Sequence, residues 1–245
     1  MKAIALIPAR FASSRLPGKA LLSIAGKTLT EHVYRRAAAA KSISEVWVAT
    51  DDERIRDAVL AFGGQAMMTR ADHSSGTDRI AEAAAQLEAD IVVNVQGDEP
   101  MLDPAEIDKV VAPFRERPEL VMTTAAVPIT VLGDVGDPNA VKVVLDREGF
   151  ALYFSRLPIP YYRTGGDGPH WKHLGLYAYR KEFLLQYASL PPTPLEQAER
   201  LEQLRVLENG YRIFCVLCDR DAIGVDTPED LARARALMEG AAGGS

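Results

Sequence analysis

The chain has 245 residues, of which 47% are hydrophobic and 25% charged. This ordinary globular composition excludes disorder, collagen and coiled coil as whole-chain descriptions. The length suits one large α/β domain or two small ones, and a chain of this size can bury ~70% of its unfolded surface. The net charge of −6 gives no reason to expect nucleic acid or an anionic membrane as partner. It is unevenly spread, however: residues 1–41 hold eight Lys/Arg and the single acid Glu31, leaving −13 for the remainder. An acidic chain with a basic head points to a local anion site.

Taken in chain order, Ala3–Ile7 reads as a buried strand. A loop rich in Pro, Ser and Gly follows through Lys19, then a helix from Thr28, where Thr28-x-x-Glu31 forms a capping box. Glu45–Thr50 is a second strand. A helix carrying Ile55, Val59 and Phe62 stops at Gly63-Gly64. Gln65–Met68 is a third strand, and Ser75 caps a helix with Ile80, Ala84 and Leu87 on one face. Asp90–Val95 is a fourth strand, Asp103-Pro104-x-Glu106 opens the next helix, and Leu120–Val127 is a fifth strand. Such alternation predicts a mostly parallel sheet between helices, with ligands at the carboxyl ends of its strands.

The second half is less regular. Residues 140–145 and 150–154 read as a hairpin, 158–169 as a Pro/Gly-rich loop, and 174–179 as a strand. Helices are expected near 181–188, 196–208 and 228–239, the last capped by Thr227. No linker divides the chain, so 1–240 is expected to be a single domain with a loose tail at 241–245. Cys215 and Cys218 lie in a strand-like run where positions three apart face opposite ways, and no second Cys/His pair completes a zinc set. Both are expected to be structural. No apolar run of about 18 residues marks a membrane span. The N-terminus does not read as a signal peptide, and the expected compartment is the cytoplasm.

Three strand-end loops carry the polar chemistry. In Pro8–Lys19, the cations Arg10, Arg15 and Lys19 and the small residues Ser13 and Gly18 suit a polyphosphate, which needs its charge neutralised before a nucleophile can approach. Two other phosphate signatures fail. Gly26-Lys27-Thr28 has Leu21 where a Walker A loop needs Gly, and no G-x-G-x-x-G follows any strand. In Val95–Pro100, Asp98 at a strand end is placed to ligate Mg²⁺. Asp226, in Gly224–Asp230, is either a second metal carboxylate or part of a helix entry. The third loop, Thr69–Arg79, suits a nucleobase or sugar contact or a capped turn, with Asp72 and Asp78 placed to pair with Arg70 and Arg79. Further along, Ser155-Arg156 ends a strand, His173 precedes Leu174–Tyr177, and Glu202 and Gln203 lie on a helix whose core stripe is Leu201, Leu204 and Leu207.

With these residues in place the sequence resembles the CMP-Kdo synthetase family, the 3-deoxy-manno-octulosonate (Kdo) cytidylyltransferases, over nearly its whole length. The most specific stretches are Val93–Pro100, Pro138-Asn139-Ala140-Val141-Lys142 and Gly224–Asp230. The resemblance implies a Rossmann-like nucleotide-sugar transferase fold with a small β extension, about 137–180, used for homodimerisation. It implies transfer of CMP from CTP to Kdo with release of pyrophosphate, requiring Mg²⁺, for lipopolysaccharide synthesis. Motif by motif, Arg10, Ser13, Arg15 and Lys19 would hold the triphosphate, and Asp98 and Asp226 the Mg²⁺. Arg10, Lys19, Asp98 and Asp226 would be the catalytic set. Arg70, Ser75 and Gln96 would sit near the nucleotide. Arg79, Arg156, His173, Tyr177, Glu202 and Gln203 would face the acidic sugar. Phe11, the short loop 163–170 and Cys218–Ile223 depart from the family pattern. The alternatives are a cytidylyltransferase for another 2-keto sugar acid, such as sialic acid, and a catalytically silent nucleotide-binding homologue.

Overall fold

The structure, a computed structural model, describes residues 1–12, 16–73, 75–164 and 168–242. Although the sequence offers no linker, the chain packs as two compact units, Met1–Asp108 with Ala222–Ser245, and Lys109–Asp221.

The first unit begins with β1 (Ala3–Ala9), a 3₁₀ turn (Lys19–Leu21) and a small ribbon of β2 (Ser23–Ile24) and β3 (Lys27–Thr28). Next come α1 (Leu29–Ala38), β4 (Ile43–Thr50), α2 (Glu53–Ala61), β5 (Gln65–Met68), α3 (Gly76–Ala85), β6 (Ile91–Asn94) and the start of α4 (Pro104–Val111). Its sheet has the order β6-β1-β4-β5 with every pair parallel, Leu6 lying opposite both Trp47 and Asn94. Ile4, Ala5, Leu6 and Ile7 have no solvent exposure. Consecutive strand residues face opposite ways, so both faces of β1 are covered, as in a parallel sheet whose crossovers are helices. The Thr28 capping box forms only by half. Thr28 Oγ1 accepts from the Glu31 amide at 3.1 Å, while the Glu31 carboxylate turns to Arg35 Nε at 2.8 Å.

The second unit holds α5 (Pro113–Glu116), β7 (Met122–Pro128), α6 (Leu132–Gly136), β8 (Lys142–Leu145), β9 (Ala151–Ser155), β10 (Trp171–Arg180), α7 (Lys181–Ser189), α8 (Pro194–Glu199), α9 (Gln203–Glu208) and β11 (Phe214–Leu217). The chain then returns to the first unit with α10 (Pro228–Ala242). Here β7 runs parallel to β11 and antiparallel to β10, while β8 pairs antiparallel with both β10 and β9. The parallel sheet expected from the first half is therefore found in the first unit, and, apart from the small β2–β3 ribbon, the antiparallel pairs lie in the second. The expected hairpin is β8–β9. Its turn is closed by the Asp146 carboxylate, which accepts from the Glu148 and Phe150 amides at 2.8 and 2.9 Å.

The helix expected over 196–208 is two helices. The capping box of Thr193 and Glu196 opens α8, and Arg200 ends it in the left-handed region (φ 56°) before α9 resumes. The strand expected at 174–179 extends over Trp171–Arg180. Cys215 and Cys218 are free and buried, and burial pushes the Cys215 thiol up to about 12. Among the described residues, no helix is long and apolar enough to cross a membrane.

Candidate active site

The first unit brings the end of β1, the loop after β6 and the entry to α10 together around one ammonium group. Lys19 Nζ lies 2.8 Å from Asp98 Oδ2 and 2.9 Å from Asp226 Oδ1. Two glycines allow this convergence. Gly18 adopts φ 68° just before Lys19 and packs on the Phe11 ring, with its amide donating to the Phe11 carbonyl at 3.1 Å. A Cβ on Gly97 would stand 2.9 Å from the Pro8 carbonyl oxygen, so only glycine lets the loop carrying Asp98 press against the end of β1.

Asp226 is anchored from both sides. The Val225 amide donates to the Asp98 carbonyl at 2.8 Å, tying the two carboxylate-bearing segments by their backbones. The Val225 side chain is fully buried with Ile24, Leu29, Leu231 and Ala234, and Leu16 and Leu22 pack against the same cluster. On the far side, Asp230 Oδ2 accepts from the Asp226 amide (3.1 Å), the Thr227 amide (2.9 Å) and Thr227 Oγ1 (3.0 Å). Thr227 Oγ1 in turn accepts from the Asp230 amide at 3.1 Å, so the expected cap is present. Asp226 thus sits at a helix entry and beside Asp98 at once.

Burial acts to lower the Lys19 pKa, but the two carboxylates outweigh it and hold the value above the ordinary lysine range. Lys19 is therefore a full cation at neutral pH. Two carboxylate oxygens directed at one positive centre also suit Mg²⁺, a hard ion that takes one or two protein carboxylates and completes its shell with water and substrate phosphate. Among the described residues, no group of three or more His, Cys, Asp or Glu side chains could hold a metal.

The remaining phosphate-loop residues divide. Arg10 is exposed, and Ser13 and Arg15 lie outside the described residues. In the third loop, Ser75 Oγ accepts from the Asp78 amide at 3.1 Å and is the N-cap of α3. Arg70 is exposed, with Nε 3.4 Å from Asp72 and 3.6 Å from Glu82, and His73 Nε2 meets the same Glu82 carboxylate. Arg79 is buried: Nη1 donates to Thr69 Oγ1 (2.6 Å) and the Arg70 carbonyl (3.3 Å), and Nη2 to Asp51 (3.0 Å). Its guanidinium staples the 69–79 turn to the end of β4. Gln96 is half-buried after β6.

In the second unit, His173, Tyr177 and Gln203 come together. The register of β10 against β7 advances by two, so that His173 lies opposite Ala126 and Tyr177 opposite Thr124. The His173 and Tyr177 ring centroids are 5.4 Å apart, and Tyr177 OH donates to Gln203 Oε1 at 3.3 Å. The Gln203 Nε2 is buried with no hydrogen-bond partner among the described residues, so a donor stands ready beside that pair. Thr124 has one hydroxyl proton, which reaches the Leu176 carbonyl at 3.0 Å. The 2.9 Å contact between Thr124 Oγ1 and His173 Nε2 is then donated by the ring. Burial lowers the His173 pKa to about 3, so the imidazole is neutral.

Arg156 is committed to backbone: Nε donates to the Glu199 carbonyl (2.7 Å), Nη1 to Pro138 (2.9 Å) and Nη2 to Arg200 (3.3 Å). The Pro138–Lys142 stretch joins the same knot. Fully buried Lys142 donates to the carbonyls of Asp137 (2.8 Å) and Arg156 (2.6 Å), and burial lowers its pKa. Glu202 is half-buried at the N-cap of α9.

Sequence reasoning missed the residues that hold these groups in place. Asp230 was signalled by its capping distance from Thr227. Asp51, Glu199, and the set Tyr187, Glu196 and Arg205 gave no local signal, because their partners are 9 to 44 residues away.

A parallel sheet with a cationic loop after its first strand, and two carboxylates meeting that loop at strand and helix ends, defines a nucleotidyltransferase. The comparisons agree. A cytidylyltransferase family model matches residues 4–213. The 3-deoxy-manno-octulosonate cytidylyltransferase of Syntrophotalea carbinolica is 53% identical, covering 98% of this chain and all of its own, and that of Geotalea daltonii is 56% identical over 94% and 96%. The solved structure of CMP:2-keto-3-deoxy-manno-octonic acid synthetase complexed with CTP superposes with a TM-score of 0.95 at 48% identity, covering 98% of this chain and 100% of that one. A 4-diphosphocytidyl-2C-methyl-D-erythritol synthase from Anaerococcus prevotii, at 14% identity and TM-score 0.63, shares the fold. The chain belongs to the 3-deoxy-manno-octulosonate cytidylyltransferase family.

Proposed function

We propose that this chain transfers CMP from CTP to the anomeric 2-hydroxyl of Kdo, releasing pyrophosphate, with Mg²⁺ as the metal. The observation that carries the reading is the meeting of Asp98, Asp226 and Lys19 at one point. Asp98 and Asp226 would hold the Mg²⁺, which when bound supplies charge neutralisation and lowers the pKa of a coordinated hydroxyl.

The chain's own groups supply the rest. Arg10, Arg15 and Lys19 neutralise the triphosphate and the leaving pyrophosphate, with Ser13 adding a hydroxyl. Ser75, Arg70 and Gln96 bound the nucleotide. The Tyr177–Gln203 pair and its unused amide donor, with Glu202, suit a polyhydroxylated acid. His173, being neutral and bonded to Thr124, brings no charge and packs behind the Tyr177 ring. Arg79 and Arg156, whose guanidinium groups are held by Asp51, Thr69 and backbone carbonyls, would present fixed positive charge toward the acidic sugar. Homodimerisation through the 137–180 extension and a cytoplasmic location complete the reading.

The test is pyrophosphate release with CTP and Mg²⁺ across a panel of sugar acids. Turnover with Kdo far above that with sialic acid and other 2-keto acids is expected. Preference for a nine-carbon acid would replace Kdo as substrate, and CTP binding without pyrophosphate formation would point to a silent homologue. In the same assay Asp98→Ala should lose ~10²–10³-fold in kcat, the loss seen when one preorganised electrostatic group is removed, with CTP binding retained.

A further inference from the structure

The Lys19 ammonium stands where two carboxylates point, which is also the position a divalent cation would take. Asp98 and Asp226 set two negative charges against the one positive charge of Lys19. A dication entering it would meet an ammonium already hydrogen-bonded to the oxygens it needs. Both cations cannot lie against the same lone pairs without strong mutual repulsion at this separation. The side chain is long and flexible, and Lys19 ends the cation-bearing segment that begins at Pro8. A polyphosphate bound there offers the ammonium new anionic partners.

We propose that Lys19 is the built-in counter-ion of the metal-free site, and that the nucleotide's triphosphate draws it off the two carboxylates so that the divalent ion can bind. The proposal rests on the cytidylyltransferase reading above and adds a regulation of that same site. Lys19 then has two states. In the free chain it bridges Asp98 and Asp226, fixes their geometry and excludes adventitious cations. With nucleotide present it lies on phosphate and the carboxylates are released to the metal. Because the two binding events share one group, each must strengthen the other by the same factor.

The backbone geometry supports this switch. The Val225–Asp98 backbone bond and the Asp230 clamp on Asp226 do not involve the ammonium. The carboxylates therefore keep their separation when Lys19 leaves. Removing the Lys19 charge should uncover a metal site rather than collapse it.

The experiment measures Mn²⁺ binding to the nucleotide-free protein by electron paramagnetic resonance, which needs no turnover. Wild type should bind Mn²⁺ weakly. Lys19→Met and Lys19→Gln, each checked for wild-type circular dichroism and melting, should bind it at least ~10-fold more tightly, and adding Asp98→Asn should abolish the gain. Unchanged Mn²⁺ affinity in a folded Lys19→Met chain overturns the proposal and leaves the enzymatic reading standing. Mn²⁺ binding by the Lys19→Met chain that is indifferent to Asp98→Asn overturns the metal assignment and the proposal with it. A variant-free arm covers misfolding: amine-directed labelling of wild-type Lys19, read by peptide mass, should rise in step with Mn²⁺ saturation. Saturating metal that leaves Lys19 labelling unchanged overturns the proposal.

Discussion

His173 shows how burial alone sets the chemistry of one residue. Its ring is packed edge-on against Phe154 at 4.8 Å, hydrogen-bonded to Thr124 and shut off from solvent. The depressed pKa of about 3 lies below the unfolded histidine value near 6.5. Between those values the unfolded chain binds a proton that the folded chain refuses, so stability falls as pH drops from about 6.5 toward 3. The slope from this one group is about 1.4 kcal/mol per pH unit through the middle of that window. Replacing His173 with Asn, which keeps a polar amide but cannot titrate there, should flatten the pH dependence of the melting temperature between pH 6.5 and 4 by about one proton. Identical slopes in wild type and variant would show that the folded imidazole does take the proton. Above pH 6.5 the two curves should run parallel, offset by the packing cost of the substitution.

At the scale of elements, the short helix α9 decides where Glu202 and Gln203 sit. Its start is held by one phenol: buried Tyr187, on α7, donates its hydroxyl to the Glu202 carbonyl at 2.7 Å, and burial keeps that phenol protonated. Its body is held by Arg205, which grips Glu196 with Nε at 2.8 Å and Nη2 at 2.5 Å, donates to the Leu190 carbonyl at 3.1 Å, and lies 5.3 Å from the Tyr187 ring centre. Breaking such a buried pair by removing one partner typically costs ~3–5 kcal/mol, so Arg205→Ala would confound folding with function. Tyr187→Phe is the cleaner probe, since it keeps the ring stacking with Phe183 and Tyr179 and deletes one hydrogen bond. It should cost ~1 kcal/mol of stability and raise the KM for Kdo ~10-fold or more, leaving the KM for CTP unchanged. An equal rise in both constants would mean that the phenol does not position α9 specifically.

The same helix marks the limit of what the sequence conveyed. Local rules carried β1, β4 and β6, because a buried parallel strand is written in consecutive apolar residues, and β5, a half-exposed edge strand, was marked by its short apolar run after Gly63-Gly64. They also carried the caps at Ser75 and Thr227, because capping needs only three-residue spacing. The helix break at Arg200 was hidden. The apolar stripe of Leu201, Leu204 and Leu207 continues the expected period, and nothing at Arg200 announces a left-handed residue. The Lys19–Asp98–Asp226 meeting was legible only in part. Each member stood out at its own strand end or helix entry, but their closeness depends on backbone bonds such as Val225 to Asp98, 127 residues apart in sequence. Arg79 and Arg156 attracted attention as charges near strand ends. Their commitment to Asp51, Thr69 and backbone carbonyls follows from tertiary placement that no periodicity encodes.

For the molecule as a whole, charge and edge exposure bear on assembly. Within the second unit, β9 pairs with β8 on one side; on the other, Ala151 donates its amide to the Ile213 carbonyl at 2.9 Å and Phe150 bridges Phe214 of β11, so among the described residues only the later part of that edge has no strand partner. An open edge is a template for another strand. The far end of this edge meets the Glu199 carboxylate, which accepts from the Arg156 amide at 2.9 Å, yet apolar side chains stand out along it: Leu152 on β9 is 61% exposed, Leu157 just beyond it 71%, and Tyr161 86%. Single exposed apolar residues are commonplace, but three within ten positions, one on β9 and two in the segment after it, are a feature an interface would cover. A homodimer formed through the 137–180 stretch, as proposed above, would cover these side chains. The net charge of −6 per chain makes the copies repel one another at long range, a repulsion that salt screens within about 8 Å at physiological ionic strength. Association driven by apolar burial should therefore tighten, or at least hold, as salt rises. Sedimentation should show a dimer at micromolar concentration whose dissociation constant does not increase between 50 mM and 500 mM salt (screening lengths of roughly 14 and 4 Å). Leu152→Glu with Leu157→Glu should give a folded monomer, because each places a charge on the surface that must be desolvated. A wild-type chain that sediments as a monomer, or a doubly substituted chain that remains a dimer, would remove this edge from the interface.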